Sequence, residues 1–266
     1  MKVCINGQLL DQESARIDPR DRGFTLGDGL YETISIRSGK PRRLGSHLAR
    51  LRRGADVLSI PILYSDAQIE RMLESIVTAN NVTEGSCRLT LTRGPSERGL
   101  APPVAPIPTL LLTVAAGVPS TEAVNVILAT RTCRNEHSPL AAIKSTNVLD
   151  SLLAHEEAQA AGADDALLSN TVGHLAEGTI ANVFLLVDGG LITPPVKDGA
   201  LPGIMRAEVI RLARAEERTV TPDVLARASE VFLTNALGLR PVVSINGHAV
   251  GDGEPGLITQ MLAARL

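Results

Sequence analysis

A chain of 266 residues with a net charge of −3, 2% aromatic residues and no Trp lacks the basic, aromatic-rich surface expected of a nucleic-acid-binding protein. Its longest apolar run, TLLLTVAAGV, is far below the ~20 residues of a membrane helix, and the N-terminal MKVCINGQLL lacks the apolar core of a signal peptide. Cys4, Cys87 and Cys133 show no C-x-x-C spacing and read as reduced thiols of a cytoplasmic protein.

The chain opens on hairpins. VCINGQLL carries Asn-Gly between two apolar runs, and YETISIRSGKPRRL uses Ser-Gly in the same way. The period then changes. In SHLARLRRGADVLSI, Leu48, Leu51, Ala55 and Leu58 share one helical face, with Ser46 as the expected cap, and its basic residues read as a solvated face. DAQIERMLESIVTANN repeats the helical period behind Asp66. SCRLTLTRG and TLLLTVAAG read as strands. The loop between them, PSERGLAPPVAPIP, is long and irregular enough to suggest a function.

AAGVPSTEA reads as a linker, dividing the chain into an N-terminal α/β domain over 1–116 and a C-terminal domain over 117–266. Beyond it, VNVILAT is a strand and STNVLDSLLAHEEAQAAG a helix ended by Gly162. DALLSN, NVFLLVD and GLITP are strands. GIMRAEVIRLARAEE is a helix following Pro202-Gly203. SEVFLTNA is a strand, VVSINGHAV a second Asn-Gly hairpin, and GLITQMLAARL a closing helix. The fold class is α/β (α+β) in two domains.

Lys144 follows the apolar stretch Leu140, Ala141, Ala142 and Ile143. Lysines usually sit in water, but one on a buried element can give up its charge and react with an aldehyde cofactor. Pyridoxal phosphate, the commonest such cofactor, needs a lysine, an acid for the ring nitrogen and a phosphate cup. Glu177 can be the acid, since a buried carboxylate is costly unless it meets a cation. An edge-strand Glu facing water is the bland alternative. The Pro202-Gly203 step before a helix offers free N–H groups to an anion, and Arg50 offers a guanidinium. GDGLYE lacks the third glycine of a dinucleotide fingerprint. The five histidines have no metal-ligand spacing, so no metal is expected.

DRGFTLGDGLYET, HLARL, LTRGPSERGL, IKSTNVLDSLLAHEEA, AEGTIANVFL, TPP and LPGIMRAEVI, in this order, resemble the class IV (fold type IV) pyridoxal-phosphate enzymes. That family contains D-amino-acid transaminases, branched-chain aminotransferases and aminodeoxychorismate lyases. The resemblance implies a homodimer, with the cofactor in the interdomain cleft of each two-domain subunit. It implies Lys144 as the Schiff-base lysine and Glu177 as the pyridine partner. Arg50, Ile204, Met205, Ala236 and Leu237 would hold the phosphate. Tyr31 and Arg98 would line the substrate pocket, with Arg98 reaching in from the partner subunit. Val148 stands where branched-chain enzymes carry a tyrosine. Leu100 stands where many D-amino-acid transaminases pair the arginine with a histidine. TNALGLRPV is similar to the Asn-Ala-Leu run of the lyases. These features imply an aminodeoxychorismate lyase first, a transaminase for D-alanine or a related amino acid second, and a cofactor-free binding protein as a remote third.

Overall fold

The computed structural model describes Met1–Leu266 as two compact units. Unit 1 comprises Met1–Pro119 with Ile143–Asn147, and unit 2 comprises Ser120–Ala142 with Val148–Leu266. Ile143–Asn147 thus belongs with unit 1, although it lies well beyond the linker in sequence.

Unit 1 contains β1 (Lys2–Ile5), β2 (Gln8–Asp11), α1 (Arg22–Leu26), β3 (Gly29–Arg37), β4 (Lys40–Pro41), α2 (Leu44–Leu58), α3 (Asp66–Ala79), β5 (Gly85–Thr92) and β6 (Thr109–Ala116). Its six-stranded sheet runs β2-β1-β6-β5-β3-β4, with every neighbouring pair antiparallel. The Asn6-Gly7 turn has φ of 49° and 84°, the left-handed pair that a two-residue hairpin needs. On β3, Leu30, Glu32, Ile34 and Ile36 are all buried, while Tyr31 and Thr33 between them are half-exposed. An acid therefore shares the inward face with three aliphatic residues.

The helix starts differ from the cap residues expected. α2 begins at Leu44, because the Ser46 N–H closes a turn on the Arg43 carbonyl and extends the helix ahead of Ser46. At α3 the cap is Ser65, not Asp66. The Ser65 hydroxyl accepts from the Gln68 N–H, and the Gln68 side chain accepts from the Ser65 N–H. Asp66 falls in the first turn, where its charge suits the helix dipole.

Unit 2 contains β7 (Val124–Leu128), α4 (Leu149–Ala160), β8 (Asp165–Ser169), β9 (Leu175–Gly178), β10 (Asn182–Val187), β11 (Gly190–Thr193), α5 (Ile204–Ala213), β12 (Glu216–Glu217), α6 (Pro222–Ala226), β13 (Glu230–Asn235), β14 (Gly238–Ile245), β15 (His248–Ala249) and α7 (Leu257–Ala263). Its sheet runs β12-β11-β10-β13-β14-β7-β8-β9, with β15 paired to β14. The parallel pairs are β7–β8, β7–β14 and β11–β12. Val183, Leu185, Val231 and Leu233 join one core, while Phe184 and Phe232 join a second with Met205 and Val209 of α5. Both faces of β10 and β13 are therefore buried, which accounts for the near-continuous apolar run in each. No helix is long and apolar enough to cross a membrane.

Candidate active site

In unit 1, Ile143–Asn147 lies along the start of β3. Ser145 forms a bridge with Leu30, the Tyr31 N–H donates to the Lys144 carbonyl at 2.9 Å, and the Thr146 N–H donates to the Gly29 carbonyl at 2.9 Å. The Thr146 hydroxyl adds a bond to the Gly27 carbonyl at 2.7 Å. This docking fixes the backbone of Lys144, whose side chain is half-buried, with Nζ 4.4 Å from the centroid of the Tyr31 ring. Arg88, one residue along β5 from the position opposite Glu32, places its guanidinium 3.9 Å from the same ring. The Tyr31 ring thus has two cations against it.

Glu32, on the other face of β3, receives Arg50 and His47 from α2. Arg50 donates through Nε at 2.8 Å and Nη2 at 2.6 Å, and His47 Nδ1 lies 2.7 Å from the carboxylate. All three side chains are buried. Burial pushes the Glu32 carboxyl up, but the bonds from Arg50 and His47 outweigh it and hold the group below its usual range. Arg50 is therefore not part of a solvated face, as its basic stretch suggested. It is fixed in place by a bidentate bond to a strand acid. Gly54, one turn further along α2, allows the helix to approach β3, since a Cβ there would meet Leu30 Cδ2 at 3.0 Å.

Unit 2 explains the buried Glu177. It lies on β9, opposite Leu168 of β8, and is 8% exposed. Arg134 approaches Oε1 to 3.1 Å, and the Leu201 N–H donates to Oε2 at 2.9 Å. Asn182 Nδ2 lies 3.4 Å from Oε2 and donates to the Leu201 carbonyl at 2.8 Å. β9 is the last strand of its sheet, but Glu177 is buried there, so the alternative of an acid facing water does not describe this structure. The cation and the amide that hold Glu177 come from other segments of the chain, and sequence reasoning identified neither. A buried acid in a strand signals that a partner exists, without saying which residue it is.

Asn182 also connects Glu177 to α5. A Cβ at Gly203 would come within 1.9 Å of Asn182 Oδ1, so glycine is what lets the N-terminus of α5 sit against this amide. Gly203 is the N-cap, with no side chain bonding to the first turn, and Ile204 and Met205 open the helix. An uncapped helix N-terminus presents N–H donors to an anion. Ala236 and Leu237 form the turn between β13 and β14. There the Leu237 N–H already donates to Asn235 Oδ1 at 2.9 Å, so an anion at this turn would share that donor. Arg98 is exposed on the loop between β5 and β6.

Class IV aminotransferases are matched over residues 29–245, which covers most of both units. The chain belongs to the class IV aminotransferase family. It is 34% identical to a D-alanine aminotransferase of Bacillus licheniformis, over 100% of this chain and 96% of the relative. It is similar to the solved structure of a putative 4-amino-4-deoxychorismate lyase of Legionella pneumophila, with a TM-score of 0.86 and 32% identity, covering 95% of each chain. It also resembles the T.th. branched-chain amino acid aminotransferase complexed with N-(5'-phosphopyridoxyl)-L-glutamate, with a TM-score of 0.92 and 26% identity, covering 99% of this chain and 92% of the other.

This class IV family member is a pyridoxal-phosphate-dependent enzyme of fold type IV. The remote reading as a cofactor-free binding protein is set aside on that ground. The residues present fit the cofactor. The uncapped start of α5 suits its phosphate, and Gly203 is what lets that start sit against Asn182. Glu177 is a buried carboxylate of the kind that a ring N–H would need as its acceptor.

Proposed function

We propose that this enzyme is an aminodeoxychorismate lyase, converting 4-amino-4-deoxychorismate to 4-aminobenzoate and pyruvate, a step towards folate. The observation that carries this reading is the loop between β5 and β6. Around Arg98 it exposes the apolar side chains Leu100, Val104 and Ile107, with the acid Glu97 beside the arginine. A guanidinium on a loop that also exposes apolar side chains suits a substrate that joins a carboxylate to a carbon ring. The similarity to the Legionella pneumophila structure agrees with it.

Pyridoxal phosphate supplies an aldehyde that takes up the substrate amine and a ring that withdraws electrons from the carbon bearing it. In this reading Lys144 is the amine that carries the cofactor at rest. With the cofactor bound, Lys144 would remove the proton from the amine-bearing carbon of the substrate. The ring–oxygen bond to the enolpyruvyl group breaks, its electrons leave with the oxygen, and the carbon ring becomes aromatic. Lys144 would then return that proton to the departing fragment, which leaves as pyruvate, and would retake its place on the cofactor as the 4-aminobenzoate amine is released. Glu177 accepts from the ring nitrogen's N–H, with Arg134 and the Leu201 N–H fixing its carboxylate. The N–H groups of Ile204 and Met205 would hold the phosphate, with the Ala236–Leu237 turn adding to that cup, and Arg50 is the guanidinium proposed for the same anion. Tyr31 positions Lys144, and Arg98 grips the substrate carboxylate.

The second reading is a transaminase for D-alanine or a related amino acid. The 34% identity to the Bacillus licheniformis D-alanine aminotransferase over the whole chain favours it. The same lysine would move a proton between two carbons, and water would then hydrolyse the carbon–nitrogen bond, releasing a keto acid and leaving the amino group for a second substrate. The assembly proposed is a homodimer, to which the exposed Phe24, Leu26, Leu149 and Leu152 would contribute apolar surface. The three free thiols fit a cytoplasmic setting.

One preparation assayed side by side tests the function. Formation of 4-aminobenzoate from 4-amino-4-deoxychorismate, well above any conversion of D-alanine and 2-oxoglutarate, is expected. Efficient D-alanine transamination with no 4-aminobenzoate would replace the lyase reading with the second.

A further inference from the structure

Arg22, in unit 1, is 5% exposed, and its guanidinium is spent on five acceptors. Nε donates to Asp28 Oδ2 at 2.8 Å. Nη1 reaches the Gly99 carbonyl at 3.1 Å, the Ala101 carbonyl at 3.3 Å and the Ser96 hydroxyl at 3.4 Å, and Nη2 reaches the Leu100 carbonyl at 3.0 Å. Three consecutive carbonyls, all immediately after Arg98, converge on one buried cation. Asp28 is held in turn by Arg93, through Nε at 2.7 Å and Nη2 at 3.1 Å. Arg93 also donates to the Leu58 and Ser59 carbonyls. The same Asp28 directly precedes β3, which carries Tyr31.

Three carbonyls turned to one point define a loop conformation that the polar, proline-rich sequence would not hold by itself. A buried arginine is an expensive way to hold a loop unless the shape of that loop matters. We propose that Arg22 is a positioning residue for substrate binding: it presets the turn Ser96–Ala101 and so fixes where Arg98 is presented to the substrate carboxylate. This rests on the reading of Arg98 given above. Pre-formation matters because a guanidinium on a disordered loop loses conformational freedom on binding, and affinity falls by that amount.

The test is a double-mutant cycle on the holoenzyme, with the carboxylate-bearing amino substrate that the wild type turns over. Arg22→Lys keeps a cation beside Asp28 but cannot serve all five acceptors at once. It is expected to raise KM about tenfold with kcat within about twofold, the signature of lost uniform binding. It should also speed hydrogen exchange in the peptide covering residues 96–101, with the exchange of β3 and β5 unchanged. In an Arg98→Ala background, Arg22→Lys should raise KM no further. A wild-type KM in Arg22→Lys, or KM increases that multiply in the double variant, would overturn the proposal even if the loop exchanges faster. If Arg98→Ala alone leaves KM unchanged, the carboxylate reading of Arg98 fails first, and the proposal falls with it. Should Arg22→Lys fold poorly, Asp28→Asn tests the same clamp by removing its anchor, with the same KM pattern expected.

Discussion

The Tyr31 N–H donates to the Lys144 carbonyl at 2.9 Å, while the Lys144 ammonium returns to within 4.4 Å of the centre of the Tyr31 ring. Two residues far apart in sequence are thus joined through both backbone and side chain. The backbone bond makes Lys144 an extension of the β3 edge, and the ring gives its amine a defined resting place. In the role proposed for Lys144, carrying the cofactor and moving protons, a fixed base of this kind is an advantage.

Lys144→Ala should fold like the wild type, because the docking of its segment uses backbone atoms and Thr146. The visible band of the bound cofactor should disappear and turnover should fall by about 10³-fold or more, since tether and proton carrier go together. A variant that kept its band and its activity, and lost both to borohydride reduction, would move the role to another lysine.

Glu177→Gln keeps the shape but replaces the anion that Arg134 meets at 3.1 Å. The cofactor should still bind through Lys144 and the phosphate cup, while turnover drops on the order of 10²-fold as the electrostatic partner of the ring nitrogen is lost. Turnover equal to wild type would leave Glu177 as a structural anchor for Arg134.

Some of this was legible in the sequence for local reasons. Asn6-Gly7 and Asn246-Gly247 both adopt the left-handed pair that their residue types favour, and the 3.6-residue period of α3 needs only its own residues to be seen. Lys144 stood out by the apolar run before it, while Glu177 and the Gly203 helix start, ordinary features alone, drew notice only in its company. Their partners did not. Glu32 looked like one more polar residue in a strand until Arg50 and His47 met it from α2. Arg22 and Arg93 share Asp28 across a long stretch of chain, and Arg134 reaches Glu177 in the same way. Pairings of that kind are set by tertiary packing, and no periodicity records them. The return of Ile143–Asn147 to unit 1 is hidden for the same reason.

The Glu32 cluster sets an acid limit to stability. The Glu32 carboxyl is held below its ordinary value in the folded chain, so its contribution is complete above the ordinary carboxylate range. It is lost as pH falls through the lowered folded value, when Glu32 takes up a proton and Arg50 and His47 lose their counter-charge. Glu32→Gln should cost about 3 kcal/mol at neutral pH, by leaving a buried guanidinium without its anion. It should also flatten the acid side of the stability profile. Denaturant midpoints measured from neutral to strongly acidic pH would show this. Curves for variant and wild type that stay parallel throughout would mean that Glu32 does not govern the acid limit.

Gly203→Ala probes the phosphate end with a single methyl group. The new Cβ would lie 1.9 Å from Asn182 Oδ1, so either the start of α5 or the amide must move. Asn182 has little room to yield, because its Nδ2 is bonded to the Leu201 carbonyl and lies near Glu177. The first turn of α5 should therefore shift, turning the N–H groups of Ile204 and Met205 away from their anion. Pyridoxal phosphate affinity, read by titrating the apoenzyme and following the visible band, should fall about tenfold, the loss of roughly one charge-assisted hydrogen bond. Inorganic phosphate, which competes with the cofactor for the same donors, should lose its protective effect in parallel. Thermal stability of the apoenzyme serves as the control. α5 also buries Met205 and Val209 against Phe184 and Phe232, so a shift that spread along the helix would lower stability as well. Affinity that falls while apoenzyme stability holds within about 1 kcal/mol locates the effect at the first turn. Unchanged affinity would mean that the phosphate is held elsewhere, and the role proposed for Ile204 and Met205 would be withdrawn.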